Sequence, residues 1–222
     1  MGKAIVFDCD GVLVDSETAW VSGIGDVFAS RGINFPSTEP DTDLHGTSVR
    51  AVISLLQAEL GEPVDADELE TEMYAAIIRR MTDGVWAIRG AIELLETVRG
   101  TRPLAVASNG STETVMGALE AASIPDVFDT IVAFEPPLRA KPAPDLYLTA
   151  CERLRVPPSE AIAIEDSLPG VRAARAAGLA VVGVGPAPGL EAEADLVVHD
   201  LLDPRLWELL GLEPSLVEEV ER

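Results

Sequence analysis

Two aspartates one residue apart, Asp8 and Asp10, follow directly on an apolar run and precede Gly11. In extended backbone, residues at i and i+2 lie on one face, so these carboxylates would sit together and repel unless a cation or a proton lay between them. An oxygen-rich pair of this kind suits Mg²⁺, which keeps several waters and takes few protein ligands. The same pattern also fits acidic residues that simply end a strand at the surface. In a chain with 38 acidic residues, that plainer explanation carries weight for a lone D-x-D.

Three later groups bear on the choice. Ser108-Asn109-Gly110-Ser111-Thr112 closes an apolar run and opens a helical pattern. A hydroxyl and free amides at a helix N-terminus make an anion site, but Ser and Asn are equally the preferred N-caps. Lys141 is one of only two lysines, the other being Lys3, and it stands just before the prolines that open another helical pattern. Lysine supplies the compact positive charge that phosphate sites use. Glu165-Asp166-Ser167 ends a further apolar run with a second acidic pair. Brought to one end of the sheet, these groups describe a phosphate bound beside a divalent cation.

The elements that would position them alternate along the chain. Apolar runs of strand length cover 4–7, 104–107, 130–134, 161–164, 180–184 and 196–198, and helical patterns cover 91–98, 111–122, 144–154 and 168–177. Such alternation predicts an α/β fold, a parallel sheet with helices on both faces. If the first, second and fourth strands are neighbours, the acidic pairs, the hydroxyl and the lysine converge at their C-terminal ends, where open α/β sheets bind ligands. One segment breaks the pattern: 16–83 holds three helical stretches, near 17–30, 47–60 and 67–81, and no strand. The reading is therefore a core of 1–15 and 84–222 and an inserted helical cap of 16–83, placed to act as a lid. An acidic helix is expected after Trp207.

In order, D-x-D-G-V-L-V-D-S, S-N-G, K-P-x-P-D and E-D-S-x-x-G resemble the motifs of the haloacid dehalogenase-like hydrolase superfamily. Within it the chain is similar to the phosphatases and β-phosphoglucomutase-like enzymes that carry a helical cap on a Rossmann-like core. The resemblance implies Asp8 as the nucleophile that becomes an aspartyl-phosphate, and Asp10 as general acid and base. It implies Mg²⁺ held by Asp8, the Asp10 carbonyl and Asp166, with Glu165 a direct or water-mediated neighbour. Ser108, Asn109 and Lys141 match the family's phosphate ligands. Asp10 argues against dehalogenation, and a cap without lysine argues against the family's Schiff-base chemistry.

The implied function is hydrolysis of small phosphomonoesters such as sugar, polyol or sugar-acid phosphates. The alternative is a sugar phosphomutase. Those mutases carry a histidine where this chain has Trp20, and a cap lysine and arginine where it has His45 and Val49. Trp20, His45 and Arg50 are the cap candidates for substrate contact. A non-catalytic phosphate-binding or regulatory protein on the same fold is the alternative of another class, and retention of Asp8, Asp10, Lys141, Glu165 and Asp166 argues against it. A net charge of −22 argues against nucleic-acid and anionic-membrane surfaces as partners, since both are bound through clustered Lys and Arg. Two cysteines, Cys9 and Cys151, make no disulfide framework. A cytoplasmic monomer acting on a small phosphorylated metabolite is expected.

Overall fold

The computed structural model describes residues 2–33, 48–60, 65–81 and 84–213. In chain order the described elements begin with β1 (Ala4–Phe7) and β2 (Val14–Asp15), followed by α1 (Glu17–Ser30), α2 (Val49–Leu60) and α3 (Ala66–Met81). The chain continues through β3 (Trp86–Ala87), α4 (Ala91–Val98), β4 (Leu104–Ser108), α5 (Thr112–Ala121), β5 (Thr130–Ala133) and α6 (Asp145–Leu154). It closes with β6 (Ala161–Glu165), α7 (Leu168–Ala177), β7 (Ala180–Val184), α8 (Leu190–Glu193), β8 (Leu196–Val198) and α9 (Pro204–Leu209).

The main sheet has six strands in the order β5-β4-β1-β6-β7-β8, and every pairing is parallel. β1 is thus flanked by β4 and β6, as convergence of the motifs requires. The chain leaves β1 toward one side of the sheet and later returns to the other, which opens a crevice at the C-terminal ends. Strand parity sorts the core. Ile5 and Phe7 face one hydrophobic cluster, and Ala4 and Val6 face the other. Alanines at 105, 107, 161 and 163 keep the second face thin, so Leu146, Tyr147 and Ala150 of α6 and Val171 and Ala174 of α7 pack close against it.

Helix ends follow local chemistry. Ser111 and Ser167 cap α5 and α7 through their side-chain oxygens, and Gly178 ends α7 in the left-handed region. β4 and β6 each run one residue beyond the sequence-based expectation, because Ser108 pairs with Ala133 and Glu165 with Gly183. β5 stops one residue earlier, because the Phe134 amide donates to the Gly110 carbonyl instead.

The insertion holds the expected helices: α1 packs along α3, and α3 also touches α2 and α5. Their apolar faces, including Ile24, Phe28, Leu56, Met73 and Ile77, continue the core cluster that contains Phe7 and Val106. The antiparallel ribbon of β2 and β3, where the insertion leaves and rejoins the core, was not anticipated, since two-residue strands carry no readable period. α9 buries Leu206 and Trp207, and the acidic residues from 214 onward lie outside the described residues. No described helix is long and apolar enough to cross a membrane.

Candidate active site

The central strand delivers Asp8. Its amide donates to the Ile164 carbonyl at 2.9 Å, extending the parallel ladder by one bond, so the carboxylate emerges at the strand's end. Lys141 Nζ donates to Asp8 Oδ1 and to Glu165 Oε1, both at 2.6 Å, and its side chain is only 3% exposed. The loop that carries this lysine is fastened by Asn109, whose Oδ1 accepts the Lys141 amide at 2.8 Å. Asn109 thereby ties the end of β4 to the lysine loop.

Glu165 is fully buried and fully engaged. Its Oε1 accepts from Lys141 and from the Tyr147 hydroxyl at 2.7 Å. Its Oε2 accepts the Asp166 amide, the Ser167 amide and the Ser167 hydroxyl at 3.1, 3.2 and 3.1 Å. Glu165 thus holds the Lys141 ammonium from the end of β6, as Asp8 does from the end of β1. The lysine also stands 5.2 Å from the centroid of the Tyr147 ring. Tyr147 was missed from sequence, because an aromatic on an amphipathic helix reads as core.

Beyond Asp8 the chain turns tightly. The Leu13 and Val14 amides donate to the Cys9 carbonyl, and Gly11 takes φ +78°, where a Cβ would lie 1.6 Å from Asp166 Oδ2. The turn presents Asp10 half-buried beside two hydroxyls: Ser16 Oγ donates to its Oδ1, and Ser108 Oγ donates to Oδ2 at 3.4 Å. Ser111, not Ser108, caps α5, and the Ser108 hydroxyl accepts the Gly110 amide at 3.0 Å while facing Asp10.

The charges do not balance. Carboxylate oxygens of Asp8, Glu165 and Asp166 lie within 4.8 Å of one another, three buried acids against one ammonium. Burial raises the Asp8 pKa well above its ordinary 3.8, and Glu165, Asp166 and Asp10 add to this while Lys141 opposes it. Burial disfavours the Lys141 ammonium, yet Asp8 and Glu165 more than offset that and raise its pKa, so it stays charged. The residual negative charge, presented by hard oxygens, fits a small divalent cation. Cys9 is fully buried, and burial with the Asp10 and Asp8 charges raises its thiol pKa, so it is a spacer rather than a nucleophile.

The cap candidates separate. Trp20, half-buried near the start of α1, packs against the main core cluster. Arg50 is paired with Asp67 at 2.5 Å and Glu70 at 2.6 Å on α3. His45 lies outside the described residues.

Gly170, in the first turn of α7, tests how rigid this arrangement is. An alanine there would gain about 1 kcal/mol of helix propensity. Its Cβ, however, would fall 1.8–2.2 Å from the Glu165 carboxylate, which is held by five donors and cannot swing away cheaply. Gly170→Ala is expected to lower Tm. A higher Tm would mean that Glu165 moves aside freely.

Comparison with known proteins agrees with the geometry. The family described as haloacid dehalogenase-like hydrolase matches residues 5–184. The chain is 31% identical over 214 residues to validoxylamine A 7'-phosphate phosphatase of Streptomyces hygroscopicus subsp. limoneus, covering 95% of this chain and 99% of that protein. It is 32% identical over 207 residues to hexitol phosphatase A of Escherichia coli, covering 90% and 91% of the two. Its fold is similar to the crystal structure of CbbY from Rhodobacter sphaeroides in complex with phosphate, with a TM-score of 0.85 and 28% identity, over 96% of this chain and all of that one.

Proposed function

The chain belongs to the haloacid dehalogenase-like hydrolase family, and from that premise we propose that it is a Mg²⁺-dependent phosphatase of small sugar, polyol or sugar-acid phosphates. The observation that carries the reading is the buried lysine shared between Asp8 and Glu165 at the C-terminal end of the sheet, beside Asp10 and Ser108. A phosphate ester entering there meets the Asp8 carboxylate and the Lys141 ammonium together.

Asp8 attacks phosphorus through a carboxylate oxygen and becomes an aspartyl-phosphate, while the ester oxygen leaves with the proton that Asp10 donates. Asp10, now a carboxylate, then takes a proton from water, and the hydroxide releases phosphate and restores Asp8. The hydroxyls of Ser16 and Ser108 hold Asp10 in position for both transfers. Ser108, Lys141 and the amides near Asn109 bind the phosphoryl oxygens. Asp8, Asp166 and the Asp10 carbonyl would hold Mg²⁺, with Glu165 adjacent. The ion supplies the positive charge that an anionic nucleophile approaching an anionic ester needs. Residues 16–83 form the lid over this site, with Trp20, His45 and Arg50 as its candidates for substrate contact, and residues 1–15 and 84–222 form the core. The two free, buried cysteines accord with a cytoplasmic enzyme, and a monomer is the simplest assembly.

The test is phosphate release from a panel of small phosphomonoesters with Mg²⁺ or with EDTA, while conversion of β-glucose 1-phosphate to the 6-phosphate is followed in parallel. The expected result is release with Mg²⁺, none with EDTA, and one clear best substrate. Isomerisation without release would make the chain a phosphomutase. Silence in both assays would leave only the non-catalytic alternative.

A further inference from the structure

Tyr147 of α6 touches both partners of one buried ion pair. Its hydroxyl donates to Glu165 Oε1 at 2.7 Å, and the Lys141 ammonium stands over its ring, 5.2 Å from the centroid. The residue is fully buried in the second core cluster, on the sheet face that alanines keep thin. That thinness brings α6 close enough for its side chain to reach the end of β6. Phenylalanine would fill the same space, so packing does not explain the hydroxyl.

The two oxygens of Glu165 are held in different ways. Oε2 accepts from the Asp166 amide, the Ser167 amide and the Ser167 hydroxyl, all in the turn that follows β6. Those donors are local and stay in place whatever stands on α6. Oε1 accepts from two side chains that come from elsewhere in the chain, Tyr147 and Lys141. Two donors on one oxygen share its charge. With the phenol in place, Lys141 Nζ lies 2.6 Å from Asp8 and 2.6 Å from Glu165, divided evenly between the nucleophile and its neighbour. Without it, all of Oε1 falls to the lysine, and a buried ammonium moves toward the stronger acceptor. The ring adds a second restraint, since a cation within about 6 Å of an aromatic face is attracted to it.

We propose that Tyr147 is a positioning residue for phosphoryl transfer: by occupying Glu165 Oε1 it keeps the Lys141 ammonium at Asp8, where the phosphoryl oxygens must be met. This inference rests on the phosphatase reading given above. Its effect falls on the rate more than on binding of the ester. A slightly displaced lysine still attracts the bound ester, whereas charge that develops in the transition state needs the ammonium in place beforehand.

Tyr147→Phe removes the hydroxyl and keeps the ring. Hydrolysis of p-nitrophenyl phosphate would be followed well below the Tm of every variant, with Mg²⁺ saturating for each. Leu206→Ala, at a buried position of α9 in the other core cluster, controls for general loosening. For Tyr147→Phe the expected result is a fall in kcat of about tenfold with KM changed by less than about twofold, the loss of one hydrogen bond to a charged group. Leu206→Ala is expected to lower Tm at least as far and to keep its kcat. A Tyr147→Phe kcat within about twofold of the wild type overturns the proposal, because the lysine then needs no help from the phenol. A rise in KM alone also overturns it, by placing the hydroxyl in ground-state binding. So does an equal loss of kcat in Leu206→Ala, which would make loosening the cause. Wild-type protein that releases phosphate neither from p-nitrophenyl phosphate nor from any ester of the panel overturns the phosphatase reading itself, and this inference with it.

Discussion

Asp8→Asn is expected to reduce phosphate release to the assay floor, by on the order of 10⁴-fold or more, because an amide cannot attack phosphorus as a carboxylate does. The same change is expected to leave the fold intact and, without metal, to raise its Tm at pH 7. The sign follows from the direction of the Asp8 shift. Burial above all, with Glu165, Asp166 and Asp10 adding to it and Lys141 opposing it, raises the folded pKa above 3.8, so the native state holds more protons than the unfolded one as pH rises from about that value. Stability falls through that window, and above the folded pKa the Asp8 charge is a net cost that asparagine lacks. The advantage of the variant is expected to vanish below the unfolded carboxylate pKa, where Asp8 is neutral in both states. Mg²⁺ should reverse the order, since a cation that binds only the folded wild type stabilises it by mass action. Thermal melts of both proteins with Mg²⁺ and with EDTA, at neutral and acid pH, read this directly. Undiminished turnover by the variant would sink the covalent mechanism.

Much of this site could be read in the sequence, for a physical reason. A parallel sheet presents its chemistry at strand ends, and apolar runs followed at once by Asp8, Ser108 and Glu165 mark those ends without any knowledge of the packing. Lys141 stood out through scarcity in a chain with two lysines. What sequence left open were questions of orientation. Ser108 and Ser111 are both plausible caps, and only the structure, with Ser111 bonded to the Thr114 amide, frees Ser108 for Asp10. Glu165 and Asp166 read alike, yet five donors fill the first. Tyr147 was hidden because an aromatic on a helix face has the periodicity of core, and its hydroxyl leaves no trace in a hydrophobic pattern. Arg50 reads as solvated or as a substrate contact, and its pairing with Asp67 and Glu70 depends on how α2 meets α3, which no local pattern encodes.

Lys141→Met is expected to damage both stability and chemistry, and by different routes. The side chain is 3% exposed and makes two bonds of 2.6 Å, so a methionine of similar length keeps the volume while removing the only ammonium among Asp8, Glu165 and Asp166. Removing one partner from a buried ion pair costs about 3–5 kcal/mol, because the remaining charge loses its compensation. For a chain of this size that is a fall in Tm of roughly 10 °C in the metal-free protein. Phosphate release should fall by about a thousandfold as well, since the lost charge faces the phosphoryl oxygens. Lys141→Arg should not rescue it, because a planar five-donor fork does not fit the slot between Asp8, Glu165 and the Tyr147 ring that a single ammonium fills. Added Mg²⁺ separates the two losses: it should recover part of the Tm by supplying positive charge to Asp8 and Asp166, but not the rate, because the lysine's contact with the ester is gone. A methionine variant with wild-type Tm and wild-type turnover would mean that the three buried carboxylates need no ammonium, and the charge argument for this site would fall.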